Sequence, residues 1–315
     1  MLGWFQVCNS VLFLCSANAY YPPASIGEFE MNIPNVRIAV IGGSRILGSG
    51  FPGALDGVEV IEESVVYDTP FGSTAPFTHA SIDGNEFLFV PFHGSTLEIP
   101  NTTPDSAGER VFYVLLKAGV TKIIGTALCG STNPLLDPAD VVVPDGFVDY
   151  TTKRAQSLYK AIAAKGETAG SYSYRLHKPF CSHLSGLLVA GSKKAGFPRV
   201  FSRGIVGVAE GPRLESPSEI RIRYSTQGID VVTMNLVPEV FFAREIGACY
   251  AALELVSNYG EGIVSTEWTG AEAFRAFQRN WRRPSAEALL YAVKHLDAEN
   301  DECGCCSNRW PSRFS

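Results

Sequence analysis

Val36-Arg37-Ile38-Ala39-Val40-Ile41-Gly42-Gly43-Ser44 is the stretch on which the fold turns. Its apolar run reads as a buried strand, and the glycine pair that closes it is a turn whose backbone amides can approach an anion or a sugar. A plain tight turn fits the same residues. The spacing is not the dinucleotide fingerprint, because Gly42-Gly43-Ser44 continues through Gly48 and Gly50 with no helix opening behind it. Phe87 to Val90, Thr121 to Gly125 and Val141 to Val143 are further short β-rich runs, and a helical pattern, Val111-Phe112-Leu115-Leu116, separates the first two. Strand, helix and strand in that order predict a βαβ arrangement and an α/β sheet covered on both faces. Gly204 to Val208, Val231 to Met234 and Tyr250 to Val256 read as later strands, and Pro238 to Ile246 starts a helix with Glu239 in its first turn. A last amphipathic helix is predicted to open at Pro284, after Arg282-Arg283, and to run through Leu296 with Leu289, Leu290 and Val293 on its apolar stripe.

With 315 residues, 46% hydrophobic and 18% charged, the chain can bury a large core, and one domain over residues 36–300 is expected. The net charge is -6 and the basic residues are scattered, which removes the electrostatic footprint of a nucleic-acid binder. The first nineteen residues carry no charge, run apolar through Val11-Leu12-Phe13-Leu14-Cys15 and end in Ala17-Asn18-Ala19, a small-x-small cleavage form. They read either as a processed leader, which implies secretion or an endomembrane compartment, or as an apolar extension of a cytoplasmic protein. No later segment reads as membrane-spanning.

Of eight cysteines, Cys8 and Cys15 fall in that first segment, and Cys129, Cys181 and Cys249 sit singly in apolar surroundings, where a small buried hydrophobe is the usual role. Residues 301–315 form a cysteine-containing tail in which Cys303-Gly304-Cys305-Cys306 suggests a disulfide clip. No histidine stands near it at zinc-finger spacing, so neither a metal nor a cofactor is expected. The polar stretch Thr152 to Pro179 reads as a loop that serves as a cover or subunit contact, with Tyr150, Tyr159, Tyr172 and Tyr174 as candidates for an aromatic lid.

Six blocks in register then carry a resemblance: Ile41-Gly42-Gly43-Ser44, Tyr67-Asp68-Thr69-Pro70-Phe71-Gly72, His93-Gly94, Cys129-Gly130-Ser131, Glu210-Gly211-Pro212-Arg213 and Met234-Asn235-Leu236-Val237-Pro238-Glu239. Together, over roughly residues 36 to 260, the chain resembles methylthioadenosine phosphorylase and its purine nucleoside phosphorylase relatives. The resemblance implies a mixed, twisted central sheet flanked by helices, a homotrimer, and attack of phosphate on C1′ of a purine nucleoside. Such chemistry needs an anion cradle on one side of the sugar and a group that stabilises the leaving base on the other.

Several family positions have changed. Phe92 replaces the arginine before His-Gly, Ala127 and Leu128 follow Thr126 where the family has a threonine-rich strand end, and Asn235 follows Met234 in place of threonine. Ser44 and His93 remain of the phosphate set, and the lost guanidinium fork counts against efficient phosphorolysis. On the base side Asn258 stands where relatives acting on 6-aminopurines have an aspartate. Its amide can donate to O6 and accept from N1–H of a 6-oxopurine, with Glu261 close behind. Met234 and Glu239 match positions that hold ribose, while Glu210 and Arg213 are expected to pair and order the pocket. The Ser95-Thr96-Leu97 and Ala107-Gly108-Glu109-Arg110-Val111 segments also depart from the family pattern.

The reading is therefore a small-molecule enzyme that cleaves the N-glycosidic bond of a purine nucleoside or 5′-thionucleoside, with His93, Asn235 and Asn258 as catalytic candidates. Its rivals are a repurposed lyase, isomerase or cyclase on a specialised metabolite, and a noncatalytic binding or storage protein.

Overall fold

The structure, a computed structural model, describes residues 32–43, 46, 48–93, 107–167, 170–264, 270–299 and 303–312. The N-terminal segment, Ser44 and Ser95-Thr96-Leu97 lie outside them. Four strands make the centre of the sheet: β1 (Ile38–Gly43), β4 (Asn85–His93), β5 (Lys122–Ser131) and β12 (Cys249–Tyr259). They run parallel in the order β4-β1-β5-β12. Antiparallel β2 (Val58–Val65) and β3 (Phe77–Ile82) extend one side next to β4. On the other side β6 (Val141–Val142) pairs antiparallel with β12 and carries β9 (Val200–Phe201). Three more strands, β7 (Gly146–Asp149), β10 (Ile205–Val208) and β11 (Val231–Thr233), branch from the end of β5. The result is a mixed α/β sheet of the expected class.

Alternation along β1 decides the layers. Ile38 and Val40 point into one core, Ala39 and Ile41 into the other, and all four are buried. One face is covered by α1 (Gly108–Lys117), α2 (Leu158–Ala164) and α5 (Glu239–Ile246) through Val111, Phe112, Leu115, Leu158, Phe241 and Phe242. The opposite face is covered by α3 (Ser182–Lys194) and α6 (Gly270–Lys294) through Leu184, Leu188, Leu289 and Val293. A further helix, α4 (Pro217–Gln227), opens on a capping box in which Ser216 and Glu219 bond each other's backbone amides.

The last helix does not begin at Pro284. It runs from Gly270 straight through that proline, because Phe277 and Trp281 continue its apolar face onto the core and the Ser285 hydroxyl donates to the Trp281 carbonyl at 2.7 Å. Trp281 stacks on Phe197 with ring centroids 5.0 Å apart, so tertiary packing outweighs the helix-breaking tendency of proline. The segment from Thr152 to Pro179 also differs from a bare loop. It contains α2 and β8 (Tyr172–Tyr174), and β8 pairs antiparallel with β13 (Arg309–Pro311) of the C-terminal tail. Tyr159 packs on Tyr172 and Arg309 covers the Tyr172 ring at 3.8 Å, which anchors the tail. Tyr150 turns away to donate to Gln227.

Cys181 and Cys249 are not isolated apolar fillers. They converge with Cys303 and Cys305 so that the four sulfurs lie within 4.8 Å of one another. All four are free thiols, while Cys306 is disulfide-bonded, so the disulfide expected in the tail runs through Cys306 and not through Cys303 or Cys305.

Candidate active site

The four central parallel strands stop along one edge of the sheet, where connections diverge and leave room for a ligand. Register places Gly43 beside His93 and Gly130 beside Asn258, so residues far apart in sequence meet there. Gly43 is needed for the approach: a Cβ on it would stand 2.8 Å from the His93 carbonyl oxygen.

Two cavities open at this edge and share Leu128 and Asn235. The larger, about 260 Å3, is lined by Met234, Asn258, Glu261, Phe274 and the ends of β5 and β11. Gly211, with φ of 71°, lets the chain pass against Met234, where a Cβ would meet Sδ at 2.4 Å. The Asn258 amide is oriented by its neighbours. Its Nδ2 donates to the Tyr259 carbonyl at 2.9 Å, and the Ser257 hydroxyl lies 2.7 Å from its Oδ1 and 3.1 Å from the Cys129 carbonyl. Each end of the amide therefore keeps one hydrogen-bonding position for a ligand.

The smaller cavity, about 130 Å3, is lined by Gly43, Ile46, His93, Thr126, Ala127 and Gln278 besides the shared pair. None of its described lining residues is an arginine or lysine. The Thr126 hydroxyl donates to the Leu253 carbonyl at 3.0 Å.

Behind this cavity stands a buried polar chain. His93 Nε2 lies 2.6 Å from Glu239 Oε1, and the Tyr250 hydroxyl donates to Glu239 Oε2 at 2.6 Å. A carboxylate only accepts, so Nε2 carries the proton toward Glu239. His93 Nδ1 is buried and has no hydrogen-bond partner among the described residues. Burial alone would raise the Glu239 carboxyl, but the His93 charge and hydrogen bonds from His93, Tyr250 and the Leu236 amide outweigh it and hold the group below the usual carboxylate value. Burial, reinforced by the charge of Glu239 and by the hydrogen bond to it, pushes Tyr250 well above the ordinary phenol value. Leu236, with φ of 76°, makes the sharp turn that separates Asn235 at the cavity from Glu239 at the start of α5. Gly125 makes room for the chain, since a Cβ there would lie 2.5 Å from the Tyr250 oxygen.

The sequence-predicted residues divide accordingly. Asn235, Met234, Asn258, Glu261, Ala127, Leu128 and His93 border the two cavities. Glu239 does not. At 1% exposure it lies behind His93 with both oxygens engaged, so it positions the imidazole instead of lining either cavity. Phe92 packs in the core with its ring centroid 4.9 Å from that of His93, where the strand register slips, and it lines neither cavity. Arg213 does not pair with Glu210. It forks onto Glu219 at 2.8 and 2.9 Å, while Glu210 accepts from the Thr152 amide at 2.7 Å and faces Arg154 Nε at 3.5 Å. Sequence reasoning missed Tyr250, Gln278 and Gly125. Only Gly125, a glycine inside a strand pattern, carried a local sign of close approach.

A family model described as the phosphorylase superfamily matches residues 37–294. The chain belongs to the phosphorylase superfamily. Among relatives of this superfamily member, a probable 6-oxopurine nucleoside phosphorylase of Moorella thermoacetica is 34% identical over 271 residues, covering 86% of this chain and 96% of the relative. An S-methyl-5′-thioadenosine phosphorylase of Aedes aegypti is 32% identical over 278 residues, covering 85% of this chain and 91% of the relative. Among solved structures, methylthioadenosine phosphorylase from Schistosoma mansoni in complex with adenine superposes with a TM-score of 0.73 at 25% identity, covering 87% of this chain and 96% of that one.

Proposed function

We propose that this phosphorylase-superfamily protein breaks the N-glycosidic bond of a purine nucleoside or 5′-thionucleoside of the 6-oxopurine type, with water preferred over phosphate as the acceptor. The carrying observation is His93, tied through Nε2 to buried Glu239 while its unpartnered Nδ1 belongs to a ring bordering a cavity without described cationic lining. In this reading Nδ1 takes a proton from water as the oxygen attacks C1′, and Glu239, itself held by Tyr250, steadies the imidazolium that forms. A phosphate dianion entering the same cavity would lose hydration with no guanidinium among the described lining residues to replace it. In the larger cavity Asn258 donates to O6 of the departing base and accepts from N1–H, with the sugar spanning Asn235 and Met234. The family membership and the 6-oxopurine activity named for the Moorella relative support the substrate class.

The test is base release from inosine, guanosine, methylthioinosine, adenosine and methylthioadenosine, with and without phosphate, in 18O-labelled water. The expected result is phosphate-independent release with label on the sugar C1, 6-oxopurines favoured by about tenfold or more. His93→Ala should lower kcat by about a hundredfold or more, and Asn258→Asp should move preference toward 6-aminopurines. Strict phosphate dependence with a sugar 1-phosphate product would overturn the choice of acceptor, and no release from any nucleoside would overturn the glycosidic reading.

A further inference from the structure

We infer that Cys181, Cys249, Cys303 and Cys305 form a four-thiolate site for a tetrahedral metal ion of the zinc class, at the end of the sheet opposite the active site. Their sulfurs all lie within 4.8 Å of one another, and the Cys249 and Cys303 sulfurs are 3.3 Å apart. Zinc bound by four thiolates at about 2.3 Å requires sulfur–sulfur edges of about 3.8 Å, a value inside that range. The sulfurs belong to three separate segments: Cys181 just before α3, Cys249 at the first position of β12, and Cys303-Gly304-Cys305 in the tail. That is why spacing along the chain gave no metal signature.

The backbone around the cluster is braced independently of the sulfurs. Arg244, buried on α5, donates to the Cys305 carbonyl at 2.6 Å and to the Lys178 carbonyl at 2.9 Å, joining the tail to the segment that leads into Cys181. The Cys181 amide donates to the Tyr250 carbonyl at 2.7 Å, joining that segment to β12. Gly304, with φ of 66°, supplies the left-handed turn between the two tail cysteines. Four thiolates around a divalent ion leave a net negative charge, and Lys122 answers it: its ammonium, on a residue only 2% exposed, lies 3.8 Å from the Cys249 sulfur. Cys181 sits at the N-terminus of α3, where the helix dipole favours a thiolate. Sulfur-only ligation selects zinc over hard cations such as magnesium or calcium. Binding exchanges the four thiol protons for the ion and needs no oxidant.

The ion would pin the C-terminal tail, and with it the β8–β13 pair, to the start of the central sheet. The site does not depend on any nucleoside chemistry. The test is elemental analysis of the full-length protein purified under reducing conditions with zinc in the growth medium, followed by replacement with cobalt. About one zinc per chain is expected, with the intense visible bands and thiolate charge-transfer absorption of tetrahedral cobalt. Cys303→Ser and Cys305→Ser should each lower metal affinity by at least about tenfold, whereas Cys129→Ser, at a buried cysteine outside the cluster, should retain the metal. Wild-type protein carrying no zinc and giving no tetrahedral cobalt spectrum would overturn the site. So would a disulfide joining any two of the four cysteines under the same reducing conditions. If the tail variants fail to fold, the wild-type cobalt titration decides alone.

Discussion

Strand β12 begins at Cys249 and ends at Asn258 and Tyr259, so its two ends stand in two different chemical environments. At the ligand end, polar side chains are partly satisfied by one another: Asn258 is oriented but keeps free valences, and His93 is tied at one nitrogen only. At the opposite end, the convergent groups are thiols in a largely apolar setting, braced by hydrogen bonds from the Arg244 guanidinium to backbone carbonyls. The thiol end is buried and the ligand end half-buried. What separates their chemistry is the hydrogen-bonding capacity left after the chain's own partners are counted: directional sites for a polar ligand in one case, a symmetric sulfur shell in the other.

The sharpest way to break the ligand end is Glu239→Ala. It removes the carboxylate that His93 and Tyr250 share, and loss of one partner from a buried polar network predicts destabilisation by about 3–5 kcal/mol, read from denaturant unfolding. The thiol end should be untouched. Where Glu239→Ala is too unstable to assay, Glu239→Gln should keep the shape while lowering kcat more than it changes KM, because the imidazolium loses its counter-charge.

Gly125→Ala comes next. A methyl group 2.5 Å from the Tyr250 oxygen must displace the phenol, and overpacking of this kind predicts a loss of about 1–3 kcal/mol with a fall in kcat. An unchanged melting temperature and rate would show that Tyr250 does not hold Glu239 in place.

The pH dependence sharpens the contrast. Glu239 is held below its ordinary value near 4.5, so its ionised network contributes stability that is fully present above that pH. The contribution is lost as pH falls through the lower folded-state value. The measurement is unfolding stability against pH for wild type and Glu239→Gln, and the difference between them should shrink as the solution is acidified. A difference that is flat from neutrality down into that acid range would mean that the network is not ionised. The smallest effect is expected from Arg213→Ala. Its fork onto Glu219 is solvent-exposed and Arg213 itself lines neither cavity, so melting temperature and kcat should both stay at wild-type values.

The legible parts of the chain were those with strong local patterns. Val36 to Ile41, Phe87 to Val90 and Thr121 to Gly125 sit in the buried centre of a parallel sheet, where both faces are covered and a strand reads as a continuous apolar run. β2 was missed because Val58–Val65 is a largely exposed edge strand with Glu59, Glu62 and Glu63 among its residues. The first half of α6 was missed because Pro284 reads locally as a helix start, while the stacking of Trp281 on Phe197 depends on a neighbour remote in sequence.

In the candidate site, the sequence blocks pointed to His93, Asn235 and Asn258, which do meet at the ends of the parallel strands. They could not show that Glu239 stands behind His93, that Tyr250 completes the chain, or that Arg213 faces Glu219 instead of Glu210. By itself the sequence determined the α/β class, the central strands and the residue types available to a purine site, because hydrophobic periodicity and glycine turns are local properties. Tertiary structure alone decided which polar atoms remain unpartnered and which four cysteines share a space. Those are sums over neighbours brought together by parallel register and helix packing, and no window of sequence contains them.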